Sequence, residues 1–163
     1  MSFTKNMSVI RYLKKLIRCI MNKYPLLTCH FNVEWGGSRT SFTEVTGLSV
    51  QYDVVEYRDG ASPEASTIKM PGLAKYGNIT LKRGIIKGDN EFFQWMNTVK
   101  FNQAERRDLT ISLLDETHTP VMVWKVKNAW PVKLESPLLN AQASEAAMES
   151  LELAHEGISI ETL

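Results

Sequence analysis

The chain is poor in the residues that usually carry chemistry. Among its 163 residues the only cysteines are Cys19 and Cys29, and the only histidines are His30, His118 and His155. Two cysteines ten apart make neither a zinc spacing, nor a CxxC pair, nor a disulfide framework, so both read as reduced thiols. His30 alternates away from the apolar face of a strand, His118 falls in a turn and His155 ends a strand. None is spaced as a ligand with another metal-type residue, and each is expected to be solvated or locally hydrogen-bonded. No Gly-x-Ser-x-Gly elbow and no phosphate loop occur, and Gly36-Gly37 is too short to cradle a phosphate. Glu149 and Glu152 fall on opposite faces of one strand, which rules them out as a paired acid and base. The basic pairs Lys82-Arg83 and Arg106-Arg107 stand alone, each expected on a solvated face or in a salt bridge between subunits. Most aromatics lie on apolar faces and read as core, not as a stacking platform. These absences disfavour an enzyme and leave no cofactor or metal site.

Charge excludes a further class. Residues 1–23 hold six of the 19 basic residues and none of the 18 acidic ones, so the remainder carries 13 basic against 18 acidic residues, a net of −5. A mildly acidic body has no surplus with which to neutralise phosphates, which argues against nucleic-acid binding. The basic residues at the start are interleaved with Val9, Ile10, Leu13, Leu16, Ile17, Ile20 and Met21 at helical spacing over residues 8–22. The run is too short and too charged to span a bilayer, and no small-x-small cleavage site follows it. Three readings stay open: a helix on an anionic membrane surface, a helix docked on the main domain or a partner, or a tail upstream of a true start at Met21. The expected organisation is a basic amphipathic extension over 1–23 and one β domain over 24–163, long enough to bury a core without staples.

What the chain does have is alternation. Arg106 to Pro131 reads as a β-hairpin. Leu109, Ile111 and Leu113 alternate with Thr110 and Ser112; after the polar turn Asp115–Pro120, Met122, Trp124, Val126 and Asn128 oppose Val121, Val123, Lys125 and Lys127. Further strands are expected over Cys29–Trp35, Arg39–Val45 and Leu48–Arg58. The last slips phase between Val54 and Val55, as at a β-bulge. Thr67–Met70, closed by Pro71-Gly72, Tyr76–Arg83 with Ile79 and Leu81 inward, Val132–Glu135, Ala147–Ala154 and Ile158–Glu161 complete the set. Asp89 suits a helix N-cap, with Phe92, Phe93, Trp95, Met96 and Val99 giving a helix of about three turns. Roughly eight to ten short strands with one internal helix indicate a β-barrel or sandwich with a flanking α-helix. An up-and-down lipocalin-type barrel fits less well, because the helix interrupts mid-chain.

Several stretches resemble a known family: FNVEWGG at 31–37, FTEVTGL at 42–48, VVEYRDGASPE at 54–64, KMPGLAKYGNITLKRG at 69–84, ERRDLTISLLDE at 105–116, WKVKNAWP at 124–131 and ESLELAHEG at 149–157. Together they resemble the tail tube protein of contractile phages, and most closely the inner-tube protein of phage-tail-like extracellular contractile injection systems. The resemblance implies a barrel shared with the haemolysin-coregulated tube protein of type VI secretion. It implies hexameric rings stacked into a hollow tube that a contracting sheath drives through a target envelope. The implied partners are further copies of the chain, the sheath, baseplate and tube-initiator proteins, a terminator cap and effectors in the lumen, with no nucleic acid outside a true phage tail. It implies no catalysis, and assembly in the bacterial cytoplasm into a particle that is released or membrane-anchored. Alternatives are a baseplate tube initiator and a free ring-forming carrier of the type VI kind. In the family a long loop after the third strand reaches the next ring. Here that loop maps to Arg58–Thr67, with Arg58, Asp59 and Glu64 as candidates for axial salt bridges.

Overall fold

The computed structural model describes residues 25–38, 41–61, 66–101 and 103–163. The expected helix over 8–22, Cys19 and the start of the expected second strand lie outside them. Nine strands and one helix follow in chain order: β1 Phe31–Glu34, β2 Glu44–Thr46, β3 Val50–Tyr57, β4 Ile68–Tyr76, β5 Ile79–Gly84, α1 Glu91–Met96, β6 Arg107–Leu114, β7 Pro120–Glu135, β8 Met148–Ala154 and β9 Gly157–Thr162. All pairings are antiparallel, and the main sheet runs β1-β6-β7-β8-β5-β2, with β9 added on β7. The fold is the mainly-β architecture that the alternation predicts.

The long strand β7 organises the barrel. Its first half pairs with β6 on one side and β9 on the other, and its second half turns away to pair with β8. The sequence suggests an end at Pro131 and a separate strand after it; instead the strand runs through to Glu135. Two irregularities let it bend. Asn128 sits at φ 53, and the register advances two residues on β6 (Arg107, Leu109) for three on β7 (Val126, Ala129), which is a bulge. The Asn128 N–H leaves the ladder and donates to Asp108 Oδ1 at 2.9 Å. The bulge also shifts the phase. Val126 faces the core, but Ala129 and Pro131 take the buried positions beyond it, and Asn128, expected on the same face as Val126, is exposed.

The core gathers inward residues of both halves: Val33 of β1 and Trp35 just beyond it, Ile79 and Leu81 of β5, Leu109 and Ile111 of β6, and Leu151 and Leu153 of β8. Helix α1 closes one flank. It is two turns rather than three, starting after Asn90, while Asp89 Oδ1 accepts the Glu91 N–H at 3.2 Å. Phe92 and Trp95 are buried against Trp35, at ring separations of 5.2 and 5.6 Å, whereas Phe93 points outward.

Strands β3 and β4 depart most from expectation. They form a separate two-stranded ribbon, and no other described strand or helix packs extensively on it. Pro71-Gly72 does not end the fourth strand; β4 runs through it to Tyr76. A ribbon strand has one unpaired edge, where a missing proline N–H costs no ladder bond. A bulge is present, but the register shifts between Tyr52 and Val54 with the extra residue on β4, where Ala74 gives way to Pro71.

Candidate functional site

No described cleft has the character of a reaction centre. One of about 280 Å³ opens between Ser38, Glu91, Trp95 and Arg107. The Ser38 N–H and hydroxyl donate to Glu91 Oε1 at 3.1 and 2.6 Å, Glu91 Oε2 is buried with no hydrogen-bond partner among the described residues, and Arg107 pairs with Glu105 at 2.9 Å while lying over the Trp95 ring. Among the described residues no three of His, Cys, Asp or Glu gather as a metal site. No described helix is long and apolar enough to cross a membrane.

The histidines are less isolated than their spacing suggests. Because β1 pairs with β6, the rings of His30 and His118 meet edge-on with centroids 4.9 Å apart. In the same turn Asp115 Oδ1 accepts from the Thr117 hydroxyl and from the N–H groups of Thr117 and Thr119. The Thr117 hydroxyl first, then the Thr119 N–H, hold its carboxyl below the usual carboxylate range.

The pair Lys82-Arg83 does not share a solvated face. Arg83 is fully buried, continuing the inward series Ile79, Leu81. It pairs with Glu149 at 2.7 Å and Asp89 at 3.0 Å, and its guanidinium lies 3.8 Å from the Phe92 ring centroid. The cluster ties β5, β8 and the start of α1 together. The second pair splits as well: Arg106 pairs with Glu156 across to the β8–β9 turn, and Arg107 covers the tryptophans.

The surface that calls for a partner is the ribbon. Val50, Tyr52, Val54, Val55, Tyr57 and Ile68 are each 43% exposed or more. Large apolar side chains exposed in this number on one element mark a surface that another molecule covers. The ribbon continues the β2–β5 pair through a constriction of small residues. Gly47 has φ +88, and a Cβ on it would lie 1.9 Å from the Asn78 carbonyl oxygen; one on Gly77 would lie 2.3 Å from Ser49 Oγ. The Gly77 N–H donates to the Ser49 carbonyl at 3.2 Å. His155 of the barrel braces the joint from outside: its Nε2 lies 3.0 Å from the Gly77 carbonyl oxygen, and its ring 5.5 Å from that of Tyr76.

At the far end, Arg58 and Asp59 are exposed in the connection between β3 and β4, where Asp59 Oδ1 accepts the Ala61 N–H at 3.1 Å. Glu64 lies outside the described residues. The sequence thus locates the ribbon tip but misses the apolar faces leading to it. Their alternation was the available signal, and it reads identically whether the cover is the chain's own core or another molecule.

Residues 27–159 match the family model described as T4-like virus tail tube protein gp19. Solved structures agree. A chain of a cryo-EM structure described as an extracellular contractile injection system, PVC sheath-tube complex in the extended state, is 35% identical with a TM-score of 0.81, over 90% of this chain and 97% of that one. A chain of the anti-feeding prophage tube-terminating cap structure is 36% identical with a TM-score of 0.79, over 86% and 93%. Hcp1 from Flavobacterium johnsoniae, at 19% identity and a TM-score of 0.50 over 81% and 94%, shares the fold. Among curated proteins none matches the chain. The chain is a β-barrel tube protein, and it belongs to the T4-like tail tube family.

Proposed function

We propose that this chain is the main subunit of the inner tube in a contractile injection particle. Hexameric rings stack into a hollow conduit, and a surrounding sheath drives that conduit through a target envelope. The observation that carries this reading is the family match over residues 27–159. The exposed ribbon supports it, because it supplies a surface for neighbouring copies. Among the described residues β1, β2 and β9 each pair on one side only. Joining such edges between subunits would close the ring and remove surfaces prone to aggregation.

The role is structural, with no catalysis. The partners are the chain itself, a sheath subunit, baseplate and cap proteins, and effectors in the lumen. Assembly takes place in the cytoplasm, and the particle acts outside the producing cell. A chain of the sheath-tube complex, 35% identical over 90% of this chain, supports the tube-subunit reading. Arg58 and Asp59, exposed at the ribbon tip, and Glu64 act as axial contacts to the next ring.

Negative-stain electron microscopy of the purified chain tests the reading, with full-length protein compared with protein beginning at Met21. Sixfold rings or hollow filaments are expected. A monomer that persists at high concentration, even with sheath and baseplate partners present, would overturn it.

A further inference from the structure

The three histidines differ in what their ring nitrogens do. Both nitrogens of His155 are committed, Nδ1 lying 3.2 Å from the Gly157 carbonyl oxygen and Nε2 3.0 Å from that of Gly77. No hydrogen bond among the described residues holds the ring of His30 or of His118. The fold brings these two together. The Leu114 N–H donates to the His30 carbonyl at 2.9 Å, which sets the approach to β1 beside the turn joining β6 and β7. His118 sits in that turn at φ 58, its N–H donating to the Asp115 carbonyl at 3.0 Å. The two rings meet with centroids 4.9 Å apart and planes at 71°. His30 is half-buried and His118 exposed, so solvent reaches the pair.

We propose that His30 and His118 form a two-histidine site for a divalent transition-metal ion of the zinc kind, with water in the remaining coordination positions. The site goes beyond the tube reading and does not depend on it. Two imidazoles on one tetrahedral ion, each with a metal–nitrogen bond of about 2.0–2.1 Å, set their ring centroids roughly 5 Å apart. The pair already has that spacing. Rotation of the exposed His118 ring about χ2, a broad and soft torsion, converts the edge-on tilt into convergence of two nitrogens. Imidazole nitrogen suits zinc, copper or nickel, whereas magnesium and calcium take oxygen. Charge also favours a cation. The Asp115 carboxylate lies close enough to His118 for the two to interact electrostatically. Its Oδ1 is occupied by Thr117 and Thr119, so Asp115 acts on the ion through space. No lysine or arginine occurs in residues 24–38 or 108–124, the two segments that carry the pair. Among the described residues no third His, Cys, Asp or Glu joins the two, which makes the coordination shell an open one. The ion fastens the approach to β1, a strand paired on one side only, to the β6–β7 turn.

The test titrates zinc alone into untagged full-length chain carrying Cys19→Ser and Cys29→Ser, which removes both thiols as rival ligands. Equilibrium dialysis reads stoichiometry and affinity, and X-ray absorption at the zinc edge counts imidazoles, in monomer and assembly alike. One ion per chain, ligated by two imidazoles, is expected. His30→Ala and His118→Ala should each weaken binding at least about tenfold, the loss typical even of changes in the outer sphere of a metal site. An equal concentration of magnesium should not compete. Zinc should raise the urea midpoint of the monomer, since it binds the folded chain, and should leave that of the double variant unchanged. Neither side chain is fully buried, and His30→Gln with His118→Asn serve if an alanine variant loses its β-sheet circular dichroism. Binding that survives both substitutions, or is lost in only one, would overturn the two-histidine site. A bound zinc with one imidazole or none refutes it equally. No binding at a tenfold molar excess of zinc would reduce the pair to a ring contact and end the proposal.

Discussion

Removing the charge of Arg83 should be among the costliest single changes away from any assembly surface. In Arg83→Met the Glu149 and Asp89 carboxylates, each with a side chain 17% exposed, lose a guanidinium at 2.7 and 3.0 Å. Breaking a buried pair from one side costs about 3–5 kcal/mol, because the remaining charge is stranded. The lost stacking on Phe92 adds roughly 1–2 kcal/mol. Opposing this, Arg83 Nη1 finds no hydrogen-bond partner among the described residues, and methionine removes that orphan, worth about 1–3 kcal/mol. Slight solvation of both carboxylates lowers the first figure, so the expected net loss is about 3 kcal/mol. With a urea slope of about 1–3 kcal/mol per molar, the midpoint should fall by roughly 1–3 M. The measurement belongs at a dilution where sedimentation shows only monomer, since assembly adds its own stabilisation. Neutralising the stranded groups as well, in Arg83→Met with Asp89→Asn and Glu149→Gln, should recover more than half of the loss. A single variant within about 0.5 kcal/mol of wild type, or a triple variant no better than the single, would refute the account of the cluster as a matched set of charges.

Three further outcomes are expected. Gly47→Ala forces a side chain into positive φ against the Asn78 carbonyl, and should cost about 1–3 kcal/mol, with amide exchange accelerated first at the adjoining Thr46–Thr80 pairing; an unchanged urea midpoint would contradict this. Asp115 has a lowered folded-state pKa, so its contribution to the β6–β7 turn is present above the ordinary carboxylate value and is lost as pH falls through the lowered one. Carbon-detected titration should show the Asp115 carboxyl protonating below the ordinary aspartate value, and Thr117→Val should move it upward. Arg58→Glu should leave a folded chain, with unchanged circular dichroism, that fails to elongate; normal filaments would remove Arg58 from the axial contact.

Legibility in the sequence followed the source of burial. The strands around β6, β7, β8 and β9 could be read because one face meets the chain's own core and the other meets water, so hydropathy alternates with the backbone. The bend of β7 could not be read. Asn128 looks like one more outward residue, and only its positive φ and the Asp108 bond mark it as the extra one. Arg83 was misread because adjacent basic residues suggest solvent, although its place two after Leu81 in the series Ile79, Leu81 put it on the inward face. The ribbon was visible as two strands but not as a projection, since apolar positions awaiting another molecule have the same spacing as core positions. The tip residues Arg58 and Asp59 were located by resemblance rather than by any pattern of their own.

Strand β7 has a mechanical consequence. A conduit thrust against an envelope must carry axial load without its subunits yielding. Along β7 the load passes into flanking strands on both sides, β6 and β9 first and then β8, through hydrogen bonds perpendicular to the strand. Sliding β7 out would shear many of these bonds at once, whereas peeling a strand from an edge breaks them in turn. Because the same strand belongs to both halves of the barrel, stress entering one half is handed to the other through continuous backbone, with no loop in the path. The bulge at Asn128, which bends the strand, is then the point where that path turns a corner, and the place where a subunit overloaded along its length would be expected to yield first.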